Sequence, residues 1–391
     1  MDLLRKALDL HLQHSQGFQT ALEKVTNSPK GKRLFDLKSQ KPGSDPNELL
    51  SYRYLCRGAG LLLAGPTGIG KSSAIMQMAM SWAAGIDFID IHPIKPVKIC
   101  LIQAENDEAD LADMREGILE GMQLGNEQMQ KCQDNILTFN DSIHSGKAFA
   151  DMMEAVVKDN QPDLVIVDPI FAFLGGDASD QAHVSAFLRN QINPILQGLN
   201  VAGAFVHHTN KPPTGKEKAN WNTADFAYAG SGSAEFANWA RAVLAISATS
   251  QHDVFKLTAG KRGYRLGWQD DEGHKAWHKY IAHHPGDGII HWHETDAPEE
   301  EEMAIMRNVN NNSIHPLTVF DVLKAIGDNG PKSARQIREN IFEMYPDDKH
   351  SKLSIRYKIS DAVENGDIEP TGEKVNNSPC YRKLRSNDLQ L

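Results

Sequence analysis

The segment Gly65-Pro66-Thr67-Gly68-Ile69-Gly70-Lys71-Ser72 has the spacing of a phosphate-binding loop, G-x-x-x-x-G-K-[ST]. An apolar run at 61–64 precedes the loop, and helix-like spacing follows it at 72–84. The glycines let backbone N–H groups turn toward phosphate, and the dipole of the helix N-terminus adds to that attraction. The motif therefore predicts binding of ATP with Mg²⁺, with Lys71 on the β- and γ-phosphates and Ser72 on the metal. The predicted nucleotide-binding residues are Gly65, Pro66, Thr67, Gly68, Ile69, Gly70, Lys71, Ser72 and Ser73.

Short apolar runs alternate with helical stretches outward from this loop. The runs lie at 61–64, 97–102, 163–167 and 202–206, and the helical spacing at 72–84, 108–121, 147–158 and 183–199. Runs that are apolar on both faces are typical of buried parallel strands. The alternation predicts an α/β core with a mainly parallel central sheet and crossover helices. After Arg241, the segments 242–248, 254–258 and 289–293 predict antiparallel strands that extend one edge.

Two carboxylates follow strands of this predicted sheet. Asp168 ends the apolar run 164–167, and Glu105 follows the run 97–102. Ligands of open α/β sheets bind at the carboxyl ends of strands, so Asp168 is predicted to hold Mg²⁺ with Ser72. Its alternative role is a helix cap. Glu105 is the predicted general base, since Pro169 stands where many P-loop ATPases have an acidic residue; the alternative assigns this acidic stretch to capping the next helix.

The motifs GPTGIGKS (65–72), QAEND (103–107), LVIVDPIFAFLGGD (164–177) and FVHHTNKPP (205–213) together resemble the RecA-like ATPases of the plasmid RepA replicative-helicase group. The resemblance covers about residues 55–265. It implies a RecA-like P-loop core that forms a ring, usually a hexamer, with ATP bound between subunits. It also implies action on single-stranded DNA and places the catalytic base at Glu105.

The same resemblance implies two further groups of residues. His208 is the polar sensor of the γ-phosphate; the alternative is that His207 and His208 are both structural. The segment 211–229 would line a central pore, where Lys211, Lys216 and Lys218 would contact DNA phosphates and Trp221 would stack on a base. Without the resemblance, this segment indicates only a long polar loop.

An arginine supplied by the neighbouring subunit stabilises the charge that develops on the γ-phosphate in such rings. The resemblance places this arginine after the late strand 254–259, which makes Arg262 the predicted catalytic finger. Lys261 is its companion and Arg265 the substitute. Arg241 also matches a position of the family, but a structural ion pair explains it equally well.

The C-terminal part resembles a winged helix. Helices are predicted at 317–326, 333–342 with Ser333 as N-cap, and 353–363, followed by a two-stranded wing at 367–370 and 380–384. If this domain binds DNA, the third helix with Lys352, Arg356 and Lys358 enters the major groove and the wing contacts phosphate. Equal numbers of basic and acidic residues after 312 weaken that hypothesis, so docking of a protein partner is the alternative.

Composition sets the remaining limits. The 391 residues carry 41 Lys and Arg against 51 Asp and Glu, a net charge of −10, which excludes coating of nucleic acid by bulk charge. The four cysteines have no metal-binding spacing, and the histidines of 274–293 fit an exposed β edge better than a metal site. The absence of a long apolar run and of a leader predicts a cytoplasmic protein without membrane contact.

The predicted domains are an N-terminal helix and linker (1–50), the ATPase core (51–295), a linker (296–314) and the winged-helix-like domain (315–391). A RepA-type DNA helicase or translocase is the leading functional hypothesis. The alternative is a switch ATPase whose nucleotide state controls a partner protein in a mobile-element or defence system. Both use the same phosphate chemistry, so the core motifs do not separate them.

Overall fold

A computed structural model of the chain describes residues 31–41, 43–209, 234–270, 273–286, 288–298, 317–327, 330–346, 350, 352–375 and 378–384. Its contacts divide the chain into residues 1–45 and residues 46–391. The described part of the first unit contains a short 3₁₀ helix, Leu34–Asp36. The N-terminal helix predicted within the segment 1–50 is expected at 1–27 from its amphipathic pattern, and these residues lie outside the described ones.

A nine-stranded sheet forms the centre of the second unit, in the order β11-β10-β9-β8-β3-β7-β6-β4-β5. The six strands from β8 to β5 in this order are parallel, and β9, β10 and β11 are antiparallel additions at one edge. A separate pair, β1 and β2, precedes the sheet. The α/β prediction is therefore confirmed. The strands are β1 (Glu48–Leu50), β2 (Leu55–Cys56), β3 (Gly60–Pro66), β4 (Ile99–Gln103), β5 (Ile136–Asn140), β6 (Leu164–Asp168), β7 (Ala202–Thr209), β8 (Ala242–Ala248), β9 (Val254–Ala259), β10 (His278–His283) and β11 (Trp292–Thr295).

Helices cover both faces of the sheet, and each face has its own apolar core. One core contains Ile75 of α1 and Ile118 of α2, and the other contains Phe149 of α4 and Trp239 of α7. The runs that are apolar on both faces thus form strands that lie between the two cores. The helices are α1 (Lys71–Ala84), α2 (Glu108–Met122), α3 (Asn126–Asn135), α4 (Gly146–Asn160), α5 (Gln181–Ala186), α6 (Asn193–Gly198) and α7 (Glu235–Trp239).

The sequence prediction differs from the structure in several details. The segment 242–248 is parallel to β3, because the apolar pattern identifies a strand but not its direction. The last predicted strand begins at Trp292, and its neighbour β10 was missed. Helix α3 and edge strand β5 were missed because both are largely polar or exposed. The predicted helix 183–199 contains a π-helical segment, Phe187–Ile192, which fits the missing N–H of Pro194.

The C-terminal part has a small core of its own around Val322, Ile337 and Ile359. Its sheet order is β12-β14-β13, and the Ser333 hydroxyl accepts a hydrogen bond from Gln336 N at the start of α9, as expected of an N-cap. The two-residue strand β12 was not predicted. The elements are α8 (Val319–Ile326), β12 (Lys332–Ser333), α9 (Ala334–Met344), α10 (Lys352–Glu364), β13 (Ile368–Val375) and β14 (Ser378–Lys383).

Within the described residues, every helix is too short or too polar to cross a membrane. The domain boundaries given above stay predictions, and most of the linker 296–314 lies outside the described residues.

Candidate active site

The strand order brings the predicted catalytic residues to one edge of the sheet. Strand β7 separates the phosphate-loop strand β3 from the Asp168 strand β6, and all three are parallel. Register places His208 beside Gly65 and Gln103 beside Asp168. The carboxyl ends of four strands therefore supply the loop, the sensor candidate and the acidic groups together.

Lys71 is buried at the start of α1, where its side chain turns back into the loop. It is 4% exposed, and its Nζ donates a hydrogen bond to Pro66 O at 2.7 Å. Gly70 precedes it with φ 91°, a conformation that favours glycine. Burial lowers the pKa of Lys71 to about 8, against the opposing attraction of Asp168 and Glu105. The ammonium group of Lys71 is thus held inside the loop by a backbone carbonyl. In a nucleotide complex, phosphate oxygens would take the place of this carbonyl of Pro66.

Asp168 lies at the bottom of the site and is 2% exposed. Gln103 Nε2 donates to Asp168 Oδ2 at 2.9 Å, and Ser72 makes a second side-chain hydrogen bond to the carboxylate. Burial raises the pKa of Asp168, while these two bonds and His208 oppose the rise. A hydroxyl and a carboxylate in contact are the hard oxygen donors that Mg²⁺ prefers, so Ser72 and Asp168 fit the metal role.

Glu105 and His208 face each other across the opening of the site. His208 Nε2 lies 3.9 Å from Glu105 Oε1, and His208 Nδ1 lies 3.5 Å from Thr67 Oγ1 in the phosphate loop. Glu105 keeps 59% of its side chain exposed, which leaves it accessible to water. Burial, followed by the charge of Lys71, lowers the pKa of His208, so the imidazole is neutral near pH 7. The next carboxylate, Asp107, is the N-cap of α2 and accepts a bond from Asp110 N at 2.9 Å.

The two adjacent histidines of β7 have different surroundings. His207 is 1% exposed and stacks on Phe236 with ring centroids 4.3 Å apart. Within the described part of the chain, neither of its ring nitrogens has a hydrogen-bond partner, and burial lowers the pKa of His207 to about 4. His207 is therefore packed as a neutral ring, whereas His208 reaches the phosphate loop.

The predicted finger region lies near the amino ends of the parallel strands, whereas Lys71 lies at their carboxyl ends. Strand β9 runs antiparallel to β8, with Ala259 beside Leu244, so the chain after β9 leaves at the amino ends of the parallel strands. Arg262 Nη1 donates to Arg53 O at 3.1 Å, and Arg265 Nη1 donates to Tyr52 O at 2.8 Å. A role of Arg262 in catalysis thus requires a site on another subunit.

Lys261 has a structural role that the sequence did not indicate. Its Nζ donates to the carbonyl oxygens of Ala237, Asn238 and Ala240 at 2.8–2.9 Å, at the C-terminus of α7. A cation there satisfies carbonyls that the helix leaves open. The ammonium is thereby engaged within its own chain.

The predicted DNA contacts are only partly described. Lys211, Lys216, Lys218 and Trp221 lie outside the described residues, as does the side chain of Lys352. Arg356 is exposed on α10. These roles stay predictions.

Two residues that the sequence did not indicate, Gln103 and Trp292, also belong to this region. Gln103 orients Asp168, and its signal was an amide at the carboxyl end of an apolar strand. Trp292 contacts the phosphate loop from β11, and no local pattern connects residues so distant in sequence. Among the described residues, no group of three or more His, Cys, Asp or Glu side chains is arranged to hold a metal ion.

Known proteins resemble parts of this chain. A family model described as "AAA domain" matches residues 29–214. No curated protein is significantly similar to the sequence. Similar solved structures include the RadB recombinase, which is 12% identical over 58% of this chain and 88% of that chain, with a TM-score of 0.38. Another is a KaiC-like protein from the archaeon Pyrococcus horikoshii OT3, which is 15% identical over 61% of this chain and 91% of that chain, with a TM-score of 0.37. The matched domain and the phosphate-loop motif both point to a nucleotide-binding P-loop core, at the carboxyl ends of the parallel strands of this α/β fold.

Proposed function

We propose that this protein is a ring-forming ATPase that acts on single-stranded DNA, as a helicase or translocase of the RepA type. The observation that carries the ATPase part is the convergence of Lys71, Asp168, Glu105 and His208 at one sheet edge. The resemblance of the four core motifs to RepA-group helicases supports the assignment of DNA as the substrate.

The residues of the site divide the hydrolysis of ATP among them. Lys71 and the backbone N–H groups of the loop bind the β- and γ-phosphates. Bound Mg²⁺, held by Ser72 and Asp168, would neutralise phosphate charge. Glu105 accepts a proton from the water that attacks the γ-phosphorus, while the bond to the bridging oxygen breaks and ADP leaves. His208, within reach of the loop and of Glu105, senses whether the γ-phosphate is present.

Arg262 completes the site of a neighbouring subunit in this proposal. Arg262 lies near the amino ends of the parallel strands, whereas Lys71 lies at their carboxyl ends. This placement suits a ring in which these two sides of adjacent subunits meet. Loop lysines 211, 216 and 218 then contact the DNA backbone in the central channel.

A switch ATPase that controls a partner protein is the second candidate, and the C-terminal part favours it. Several described cations there are paired with carboxylates: Arg335 with Glu339, Lys358 with Asp361 and Arg382 with Glu369. Phe320 of α8 is 72% exposed. Neutralised charge and an exposed ring suit protein docking better than phosphate contact, although the order of helices and strands fits a winged helix.

The rate of ATP turnover with and without single-stranded DNA distinguishes the helicase from the switch ATPase. Native mass is measured by light scattering in the same buffers. The helicase proposal predicts an oligomer whose turnover rises with DNA, and a smaller rise when Lys211, Lys216 and Lys218 are all replaced by Ala. Replacement of the exposed Lys131, Lys147 and Lys158 by Ala is the charge-matched control, because the proposal gives these three lysines no contact with DNA. Turnover that ignores DNA in an assembled protein would favour the switch.

A further inference from the structure

The hairpin of β10 and β11 reaches the phosphate loop although β11 is the fourth strand from β3 in the sheet. The Trp292 side chain is 1% exposed and packs on Gly70. A Cβ atom built on Gly70 would lie 2.6 Å from Cζ2 of Trp292, so the indole leaves room for glycine alone. The edge of the sheet is thus in direct contact with the residue before Lys71.

Hydrogen bonds link the same tryptophan to the first turns of α1. Trp292 Nε1 donates to Ser73 Oγ at 3.0 Å, and Ser73 Oγ donates to Gly70 O at 2.8 Å. Gln77 binds the backbone of Trp292 twice, with Nε2 donating to O at 2.9 Å and Oε1 accepting from N at 2.7 Å. The indole N–H therefore orients the hydroxyl that in turn binds the carbonyl of Gly70.

Neighbouring side chains hold the indole in place. His283 lies directly across the hairpin, and its ring centroid is 3.7 Å from that of Trp292. The rings of Phe255 and Trp292 pack edge to face, with centroids 5.2 Å apart. The loop of the hairpin also binds α2, because Ile290 N donates to Gly117 O at 3.0 Å. One hairpin thus contacts both the helix of the phosphate loop and the helix that begins after Glu105.

We propose that Trp292 is a positioning residue for nucleotide binding, which holds Gly70 and Ser73 in the conformation that receives the phosphates. The inference rests on the proposed ATPase function. A phosphate loop binds through backbone N–H groups whose directions must be set in advance, and a fixed indole donor at its exit supplies that constraint.

The test is the dissociation constant of a fluorescent ADP analogue, measured by anisotropy on the full chain. Trp292→Phe, which lacks the N–H, is expected to raise this constant roughly three- to tenfold, the range of one buried hydrogen bond. Ser73→Ala should raise it as well, and the double variant should bind no more weakly than the weaker single variant, since both break one chain of bonds.

Trp268→Phe is the matched control. Trp268 is 3% exposed in the same core, and within the described residues its indole nitrogen has no hydrogen-bond partner. Its replacement should leave the dissociation constant unchanged. If Trp292→Phe does not fold, 3-benzothienyl-alanine at position 292 keeps the indole shape with sulfur in place of N–H and gives the same readout.

The results separate this inference from the proposed function. Wild-type binding that depends on Lys71, together with an unchanged constant when Trp292 loses its N–H, would overturn the inference alone. An equal loss in Trp268→Phe would also overturn it, because general loosening of the core would then explain the effect. A wild type that does not bind the analogue would overturn the proposed function and the inference with it.

Discussion

Burial of Lys71 makes nucleotide binding depend on pH. The pKa of its ammonium group is lowered to about 8 in the free chain. Bound phosphates favour the charged form and raise this pKa, so binding takes up a proton when the pH exceeds about 8. We expect the dissociation constant of ATP to be flat below that pH and to rise above it, by up to about tenfold per pH unit.

Calorimetry in buffers of different ionisation enthalpy measures this proton uptake directly. Lys71→Arg is the control, because an arginine side chain stays charged throughout the range and its variant should bind without proton uptake. Affinity of the wild type that is constant up to about pH 9.5 would be inconsistent with a buried lysine in this state.

Glu105 is the residue whose replacement should separate binding from hydrolysis. Glu105→Gln keeps the size of the side chain but cannot accept the proton of the attacking water. We expect ATP affinity close to that of the wild type and turnover lower by roughly two or more decades. The measurement is single-turnover hydrolysis beside equilibrium binding.

Glu108→Gln makes the same charge change three residues later, on the exposed first turn of α2, and should hydrolyse ATP at the wild-type rate. Wild-type turnover in Glu105→Gln would place the base elsewhere.

Single residues of the site were predictable where a motif or a strand end marks them. Lys71 and Ser72 follow from the loop spacing, and Asp168 from its place after an apolar run, and the fold brings them together. The role of Trp292 was not predictable, because its partner Gly70 is more than 200 residues away in sequence. The contact depends on where the fold places the β10–β11 hairpin. The bonds of Lys261 to carbonyl oxygens 21–24 residues earlier were not predictable either, because they depend on how the chain after β9 packs on the end of α7.

At the level of elements, the parallel strands were predicted because burial on both faces makes them apolar throughout. The edge elements were not, since β5 is largely exposed and α3 carries one buried residue, Cys132. Arg241 N donates to Gly60 O, so β8 begins beside the start of β3 and runs parallel to it, which the residue pattern does not encode. The core was thus predictable from composition, and its borders were not.

Helix α2 packs so closely on the β10–β11 hairpin that it needs glycine. A Cβ atom built on Gly121 would lie 2.2 Å from His291 Cβ, and one on Gly117 would lie 2.7 Å from Gly288 O. Alanine normally favours a helix over glycine by about 1 kcal/mol, but here overpacking opposes it. We expect Gly121→Ala to lower the free energy of unfolding by about 1–3 kcal/mol in urea titrations.

Gly198→Ala, at the end of α6, is the control, because no atom lies within 4 Å of the added carbon. It should leave stability unchanged or raise it slightly. Equal effects of the two substitutions would mean that α2 does not pack on the hairpin in this way.

For the whole molecule, the remote position of Arg262 predicts an active site shared between subunits. Lys71→Ala removes the phosphate side of a site and Arg262→Ala the opposite side, so mixed rings contain some interfaces with both sides intact. A finger contributes about three to five decades in rate, so restored interfaces should exceed the background clearly. The measurement is ATP turnover against mixing ratio while subunits exchange.

A mixture of Lys71→Ala with Glu105→Gln is the matched control, because both changes lie on the same side of an interface and the Arg262 side stays intact in each. We expect this mixture to show no restored ATP turnover. Restored turnover would mean that Lys71 and Glu105 serve the same site from different subunits. An inactive profile for the first mixture, with mixed assembly verified by mass, would mean that Arg262 does not act across subunits.

The most direct test of the ATPase assignment is the turnover of Lys71→Ala compared with the wild type. The Nζ atom of Lys71 donates to Pro66 O within the phosphate loop itself, so loss of the side chain should leave the circular dichroism spectrum and the melting temperature near those of the wild type. Lys147→Ala, which removes an exposed lysine paired with Asp151, is the control and should hydrolyse ATP normally. We predict that Lys71→Ala lowers turnover by at least about two decades. A folded Lys71→Ala protein that hydrolyses ATP at the wild-type rate would contradict the account.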